Sequence, residues 1–205
     1  DPDPDPVDDL VMVLAIQAED MTPDDGTSVV VASGAGAEIE IRDINNPETT
    51  AGLPNGLRPG AFGVDGNTVD DDGVPGGYAD FGSTNVDFLT FSFELDPDQA
   101  GDSVLRVRYA NGGNADRPLE VFVNNVSVGV VSFPPPQDPS LDDADSRWAE
   151  WLTVDIDADL AAGLNTVRFQ ATDNTGPNID QLAILQEEDA TPGFTLYEAE
   201  DAALG

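Results

Sequence analysis

The sequence predicts an all-β protein: a β-sandwich of two antiparallel sheets with very little helix. Three observations predict it. Apolar and polar residues alternate, most plainly from Phe88 to Leu95, where Leu89, Phe91, Phe93 and Leu95 interleave with Thr90, Ser92 and Glu94. Turn residues recur about every 8–12 residues, the spacing of a sandwich or jelly roll. No long stretch carries the roughly 3.6-residue period of an amphipathic helix.

The elements follow in order. Residues 1–9 alternate Asp and Pro; proline fixes φ and like charges extend the chain, so this is a stiff linker. Residues 10–16 are apolar and form a first strand, closed by Gln17-Ala18-Glu19-Asp20. Val29–Ala32 and Ile39–Arg42 give two short strands with Gly-rich punctuation between them. Residues 43–76 break the pattern. Asn45-Asn46-Pro47, Pro54-Asn55-Gly56, Arg58-Pro59-Gly60, Asp65-Gly66-Asn67 and Asp70-Asp71-Asp72-Gly73 dominate, with few apolar anchors (Leu53, Leu57, Phe62, Val64). A loop this long in a compact domain is usually functional or disordered.

From Tyr78 onward strand signals are strong: Phe88–Leu95, Val104–Tyr109, Leu119–Val123, Val126–Phe133, Trp151–Ile156 and Val167–Ala171, with a second acidic loop from Phe133 to Ser146. Gly176-Pro177 then breaks regular structure, and Ile179, Leu182, Ile184 and Leu185 read as a last strand. Asn178 and Asp180 stand two apart at that junction, on one side of an extended chain. They could serve a ligand and a metal, or simply satisfy the turn. The domain so defined spans residues 10–186, followed by a polar linker over 187–193. Tyr197-Glu198-Ala199-Glu200-Asp201 then mirrors Ile16-Gln17-Ala18-Glu19-Asp20, so residues 194–205 read as the truncated first strand of a second tandem copy.

Composition excludes whole classes of function. The 205 residues carry 41 acidic and 7 basic side chains, all of the latter Arg, for a net charge of −34. Such a surface repels nucleic acid and anionic membranes, tolerates high salt, and offers many hard oxygen ligands for Ca²⁺. There is no Cys and no His. That removes thiol chemistry, disulfides, imidazole bases, Ser-His-Asp machinery and nearly all zinc or copper sites. No apolar run approaches the ~18 residues of a membrane-spanning helix. No signal peptide is visible, and the Asp-Pro start reads as a position inside a longer chain. Carboxylate pairs are too common here to mark a glycosidase, whose acid needs a raised pKa in a cleft.

Several stretches, taken in order, resemble the family 6 and family 35 carbohydrate-binding modules. They are Gln17-Ala18-Glu19 (again at Glu198-Ala199-Glu200), Gly77-Tyr78-Ala79-Asp80-Phe81-Gly82, Arg108-Tyr109-Ala110-Asn111-Gly112 with Arg117-Pro118-Leu119, and Val123-Asn124-Asn125. Trp148-Ala149-Glu150-Trp151, Leu160-Ala161-Ala162-Gly163-Leu164-Asn165-Thr166-Val167-Arg168 and Pro177-Asn178-Ile179-Asp180 complete the series. The resemblance implies a β-sandwich jelly roll that binds polysaccharide and performs no chemistry.

It further implies a structural Ca²⁺ held by Gln17, Glu19 and Asp180, oxygen donors of the kind that ion takes. The sugar site it implies lies in the loops at one edge of the sandwich, with Tyr78 and Trp148 sandwiching a sugar ring and Asn178 bonding its hydroxyls. A pyranose has an apolar C–H face that buries against a flat ring. An amide donates and accepts without a charge to desolvate. Trp151, three residues beyond Trp148, is expected in the core, and Arg117 is expected to pair with a carboxylate. The 43–76 insertion departs from the family. Its Asp65, Asp70, Asp71 and Asp72 either bind a second Ca²⁺ or form a solvated acidic loop, and their spacing does not fit an EF-hand.

The expected function is a polysaccharide-binding module in a secreted, multimodular protein, taking a neutral or at most Ca²⁺-bridged glycan and acting beside neighbouring modules of its own chain. The alternative is a Ca²⁺-stabilised structural or adhesive repeat of a bacterial surface protein.

Overall fold

A computed structural model describes residues 10–18, 27–32, 35–37, 39–43, 77–82, 84–138, 140–141, 147–172 and 175–187. The linker expected over 1–9, all but Glu187 of the linker expected over 187–193, the second copy expected at 194–205, Glu19, Arg58 and the Asp65 to Asp72 cluster lie outside the described residues. Within them, eleven strands run in the order β1 (Leu10–Gln17), β2 (Ser28–Val31), β3 (Glu40–Asp43), β4 (Gly77–Asp80), β5 (Phe88–Leu95), β6 (Gly101–Ala110), β7 (Leu119–Val123), β8 (Val126–Val131), β9 (Trp151–Leu160), β10 (Gly163–Ala171) and β11 (Asn178–Glu187). A 3-10 turn, Pro97–Gln99, links β5 to β6.

The strands form two antiparallel sheets. One orders as β3-β4-β11-β6-β9 with β1 also paired to β11; the other orders as β2-β5-β10-β7-β8. The all-β sandwich expected from alternation is therefore the architecture found. β5 shows why: Leu89, Phe91, Phe93 and Leu95 are buried, while Thr90, Ser92 and Glu94 face outward. β10, its neighbour in the sheet, adds Val167, Phe169 and Ala171 to the same buried face, with Phe169 edge-on to Phe91 at 6.0 Å.

Polar residues fix the turns. Asn124 and Asn125 adopt φ of 49° and 65°, so a two-residue turn joins β7 to β8. Asn124 accepts from Thr166 N–H and donates to Asn165 Oδ1, and the buried Asn165 donates to the carbonyls of Ala161 and Gly163. Two amides thus staple one hairpin turn to the next.

β11 is the pivot of the larger sheet. β6 lies along one side of it, and β1 and β4 share the other. The register slips between Ile179 and Gln181, so Asp180 sits in an irregularity of the ladder. Its carbonyl accepts the Ala18 N–H at 2.8 Å, where β1 ends. The strand is enclosed on both faces from Asn178 to Asp180.

Candidate functional site

The junction of β1, β4, β6 and β11 collects most of the residues singled out in the sequence. Asn178 lies opposite Asp80 of β4 and Ala110 of β6, and Ala110 lies opposite Trp151 of β9. Residues in register share a face. Their neighbours Ala79, Ile179, Tyr109 and Leu152 pack into the core, so this row faces away from it.

On that outer face Tyr78 and Trp151 meet, with ring centroids 5.7 Å apart at a tilt of 56°. The Arg108 guanidinium stands 5.1 Å from the Trp151 ring and bonds the Asp180 carboxylate through Nη1. Tyr78, Asn178 and Asp180 are wholly enclosed, whereas Trp151 keeps part of its ring exposed. Trp151 is therefore not a core residue, as its sequence position suggested. The residues before it form a helical turn at 147–148, so parity counted from Trp148 along an extended chain fails. Parity counted back from Leu152, Val154 and Ile156 points Trp151 outward, and that signal was available.

Trp148 occupies a different setting. Its pyrrole ring lies flat over Gly112: a Cβ on that residue would overlap Cδ1, Cγ and Nε1 together. Arg147 donates from Nε to the Gly112 carbonyl. Arg117 places its guanidinium 4.9 Å from the Trp148 ring and donates from Nη1 to the Gly176 carbonyl at 2.8 Å. An aromatic ring and a backbone oxygen are thus among its described contacts. Gly176 is itself confined, since a Cβ there would come within 2.6 Å of Phe81. Asn178 follows two residues on.

The loop beneath Trp148 is pinned by buried polar groups. Asn111, fully enclosed, donates to the carbonyls of Ala115 and Phe133 and accepts from Gly113 N–H. Asp116 accepts from Phe133 N–H and Ser132 Oγ. Tyr109 packs edge-on to Phe133 and donates its hydroxyl to Pro134 O. Burial, with the Asp116 charge adding to it, pushes the Tyr109 hydroxyl from 10.0 up to about 12.

Two groups stand out for what they do not contact. Both amide atoms of Asn178 are buried without a hydrogen-bond partner, and so is Oε1 of Gln17. Orphaned buried polar atoms are uncommon and costly. An amide with a free donor and a free acceptor suits a polyhydroxylated ligand. Gln17 ends β1 opposite Gln181, one residue from the Asp180 irregularity. A neutral oxygen and a buried carboxylate at one junction fit a hard divalent cation in donor type. Glu19 belongs to the undescribed segment. Among the described residues, no group of three His, Cys, Asp or Glu is arranged as a metal cage.

Tyr78 and Trp148, paired in the sequence reading, belong to separate clusters here: Tyr78 with Trp151 and Arg108, and Trp148 with Arg117 and Gly112. In the sheet order, β11 with Asn178 lies between β4, which carries Tyr78, and β9, which Trp148 precedes.

No protein-family model matches the chain. Among solved structures it superposes on a family 35 carbohydrate-binding module from Clostridium thermocellum with a TM-score of 0.52 at 20% identity, covering 83% of this chain and 95% of that one. A family 35 module from Paenibacillus barcinonensis gives 0.51 at 20% identity over 83% and 97%. The chain has the fold of a family 35 carbohydrate-binding module. The sandwich type expected from the ordered motifs is thus the type its structural neighbours have. Among curated proteins, 126 residues are 34% identical to endo-1,4-beta-xylanase B of Cellvibrio japonicus, and 126 to alpha-L-arabinofuranosidase C of the same organism at the same identity. Each match takes 60% of this chain but 19% of the relative. Exo-beta-D-glucosaminidase of Amycolatopsis orientalis matches at 33% over 113 residues, 10% of its length. This chain with the family 35 fold spans a fifth or less of the curated relatives it matches.

Proposed function

We propose that the chain is a non-catalytic polysaccharide-binding module of a secreted, multimodular protein. One observation carries the reading: Asn178, fully buried, presents an amide with neither atom bonded, two residues after the carbonyl that Arg117 ties to Trp148. An aromatic platform and an unsatisfied amide are the two devices that sugar recognition needs. Trp148 supplies a face for the pyranose C–H groups and Asn178 bonds its hydroxyls, with Tyr78 enclosed against Trp151 behind them. The fold and the relatives, carbohydrate-active enzymes by name, support the reading. A neutral glycan is favoured, because a net charge of −34 repels a polyanion.

Calcium belongs to the same proposal. Gln17 and Asp180, with Glu19, would hold it at the junction of the first and last strands, and its charge would stabilise the packing of β1 on β11. Bound at a hundred times its Kd, such an ion adds about 2.7 kcal/mol of stability. Chelation with EDTA should therefore lower the melting temperature; an unchanged melting curve refutes the metal.

Retention on agarose, xylan, β-glucan and alginate, with and without EDTA, tests the binding. Retention on one neutral polymer, lost in Trp148→Ala and Asn178→Ala, is the expected outcome. The complete enclosure of Tyr78 favours a second reading, a Ca²⁺-stabilised structural or adhesive repeat. That reading prevails if calcium raises the melting temperature and no polymer retains the protein.

A further inference from the structure

We infer that Arg117 is a positioning residue of the glycan site: it locks the Trp148 indole to the turn that carries Asn178. The inference deepens the proposed function and rests on it.

Three contacts converge on this side chain. Its guanidinium stands 4.9 Å from the Trp148 ring centroid. Its Nη1 donates to the Gly176 carbonyl at 2.8 Å. Its stem passes so close to Gly113 that a Cβ there would lie 3.2 Å from Nε. Trp148 stands in a short helical turn at 147–148, and Gly176 precedes Pro177 just before β11 begins at Asn178. Among the described residues no ladder of backbone hydrogen bonds joins these two pieces, yet the sugar site needs the indole and the Asn178 amide at a fixed separation. A planar, permanently charged fork can stack on one partner and bond the other at once, which a lysine ammonium cannot.

Arg117 is also anchored from behind. Its own N–H meets the Phe133 carbonyl at 3.4 Å, and Asn111 and Asp116 fix the loop on which it stands. The guanidinium therefore reaches out from a rigid base, and the indole it meets rests on Gly112. Displacing the guanidinium frees the ring to tilt away from Asn178 without opening the core, because neither Arg117 nor Trp148 belongs to the buried cluster between the sheets.

The test uses Arg117→Lys and Arg117→Ala, each read three ways. The chain has two tryptophans, so a Trp151→Phe background leaves Trp148 as the sole indole reporter. In that background both variants should raise acrylamide quenching of Trp148 and shift its emission to the red. In the unaltered background, affinity for the polymer that retains the protein should fall by about tenfold or more, the size of one desolvated cation–π contact with its hydrogen bond. The melting temperature should move little. Lysine should recover little of the loss, since it keeps the charge and loses the fork.

Unchanged quenching and unchanged affinity in both variants overturn the inference. So does an affinity loss matched by a large fall in melting temperature in both, which assigns Arg117 to the scaffold. If no polymer binds the wild-type protein while quenching still rises in the variants, the proposed function fails and the lock on Trp148 stands as a purely structural one.

Discussion

The molecule holds two tryptophans, three residues apart, and an arginine stands over each. Trp151 with Arg108, Asp180 and Tyr78 is built on strands. Every member sits on a strand of one sheet, Asp180 at the irregularity of β11, and an ion pair whose carboxylate is fully enclosed ties β6 to β11. Trp148 with Arg117, Gly112 and Gly176 is built on loops. Among its described contacts are a glycine with no room for a methyl group and hydrogen bonds from Arg117 and Arg147 to the carbonyls of Gly176 and Gly112. The same two side-chain types thus serve different ends: the strand-borne cluster is coupled to folding, while the loop-borne cluster is coupled to the placement of one ring.

Four measurements can break or sharpen that contrast. Asp180→Ala should cost the most, about 3–5 kcal/mol of folding stability by chemical denaturation, because it removes a fully buried carboxylate bonded to Arg108 and leaves a buried hole. A loss below about 1 kcal/mol would dissolve the claim that this cluster belongs to folding. Trp148→Ala should instead take about 2–4 kcal/mol from glycan binding and little from stability, as titration calorimetry and melting would show together. The reverse pattern would make Trp148 a scaffold residue. Gly112→Ala should cost about 1–3 kcal/mol by forcing the indole off its seat, and should weaken binding with it. Wild-type affinity in that variant would mean that the ring seen over Gly112 is not the ring that meets the sugar.

The smallest effect concerns the anchor between core and loop. Tyr109 is raised above its unfolded value, so folding favours its protonated form. Its contribution is intact below about pH 10 and declines as pH rises through the window up to about 12. Tyrosine absorbance should show that late ionisation, and Tyr109→Phe should flatten the slope of stability in that window.

How much of this was legible depended on regularity. Strands with clean alternation, such as Phe88–Leu95 and Leu119–Val123, were read to their boundaries, because burial of one face leaves a period of two in the sequence. β6 and β9 run longer than expected, to Gly101 and to Leu160. Their outer residues include Asp102, Asp155, Asp157 and Asp159, polar positions that carry a strand without carrying an apolar signal. The pairing of Gln17 with Asp180 at one junction followed from placing the first and last strands side by side, which they are. The partition of the aromatic residues was not legible. Trp151 meets Tyr78 across a folded sheet, and Trp148 finds Gly112 through a turn of helix; both depend on distances that no periodicity encodes. Arg117 was read as the partner of a carboxylate; its contacts with the Trp148 ring and the Gly176 carbonyl left no sequence signal, because packing alone brings them together.

The pairing of β1 with β11 has a mechanical consequence. Leu10 lies opposite Glu187, so the polypeptide comes in and goes out at one point of the fold. A pull on the flanking chain from both sides would not stretch the sandwich from pole to pole. It would peel the two strands apart from the Leu10–Glu187 end, one rung at a time, towards Gln17 and Asp180. The junction proposed to hold calcium is thus the last rung of that ladder, and an ion there would act as the stop on a zipper.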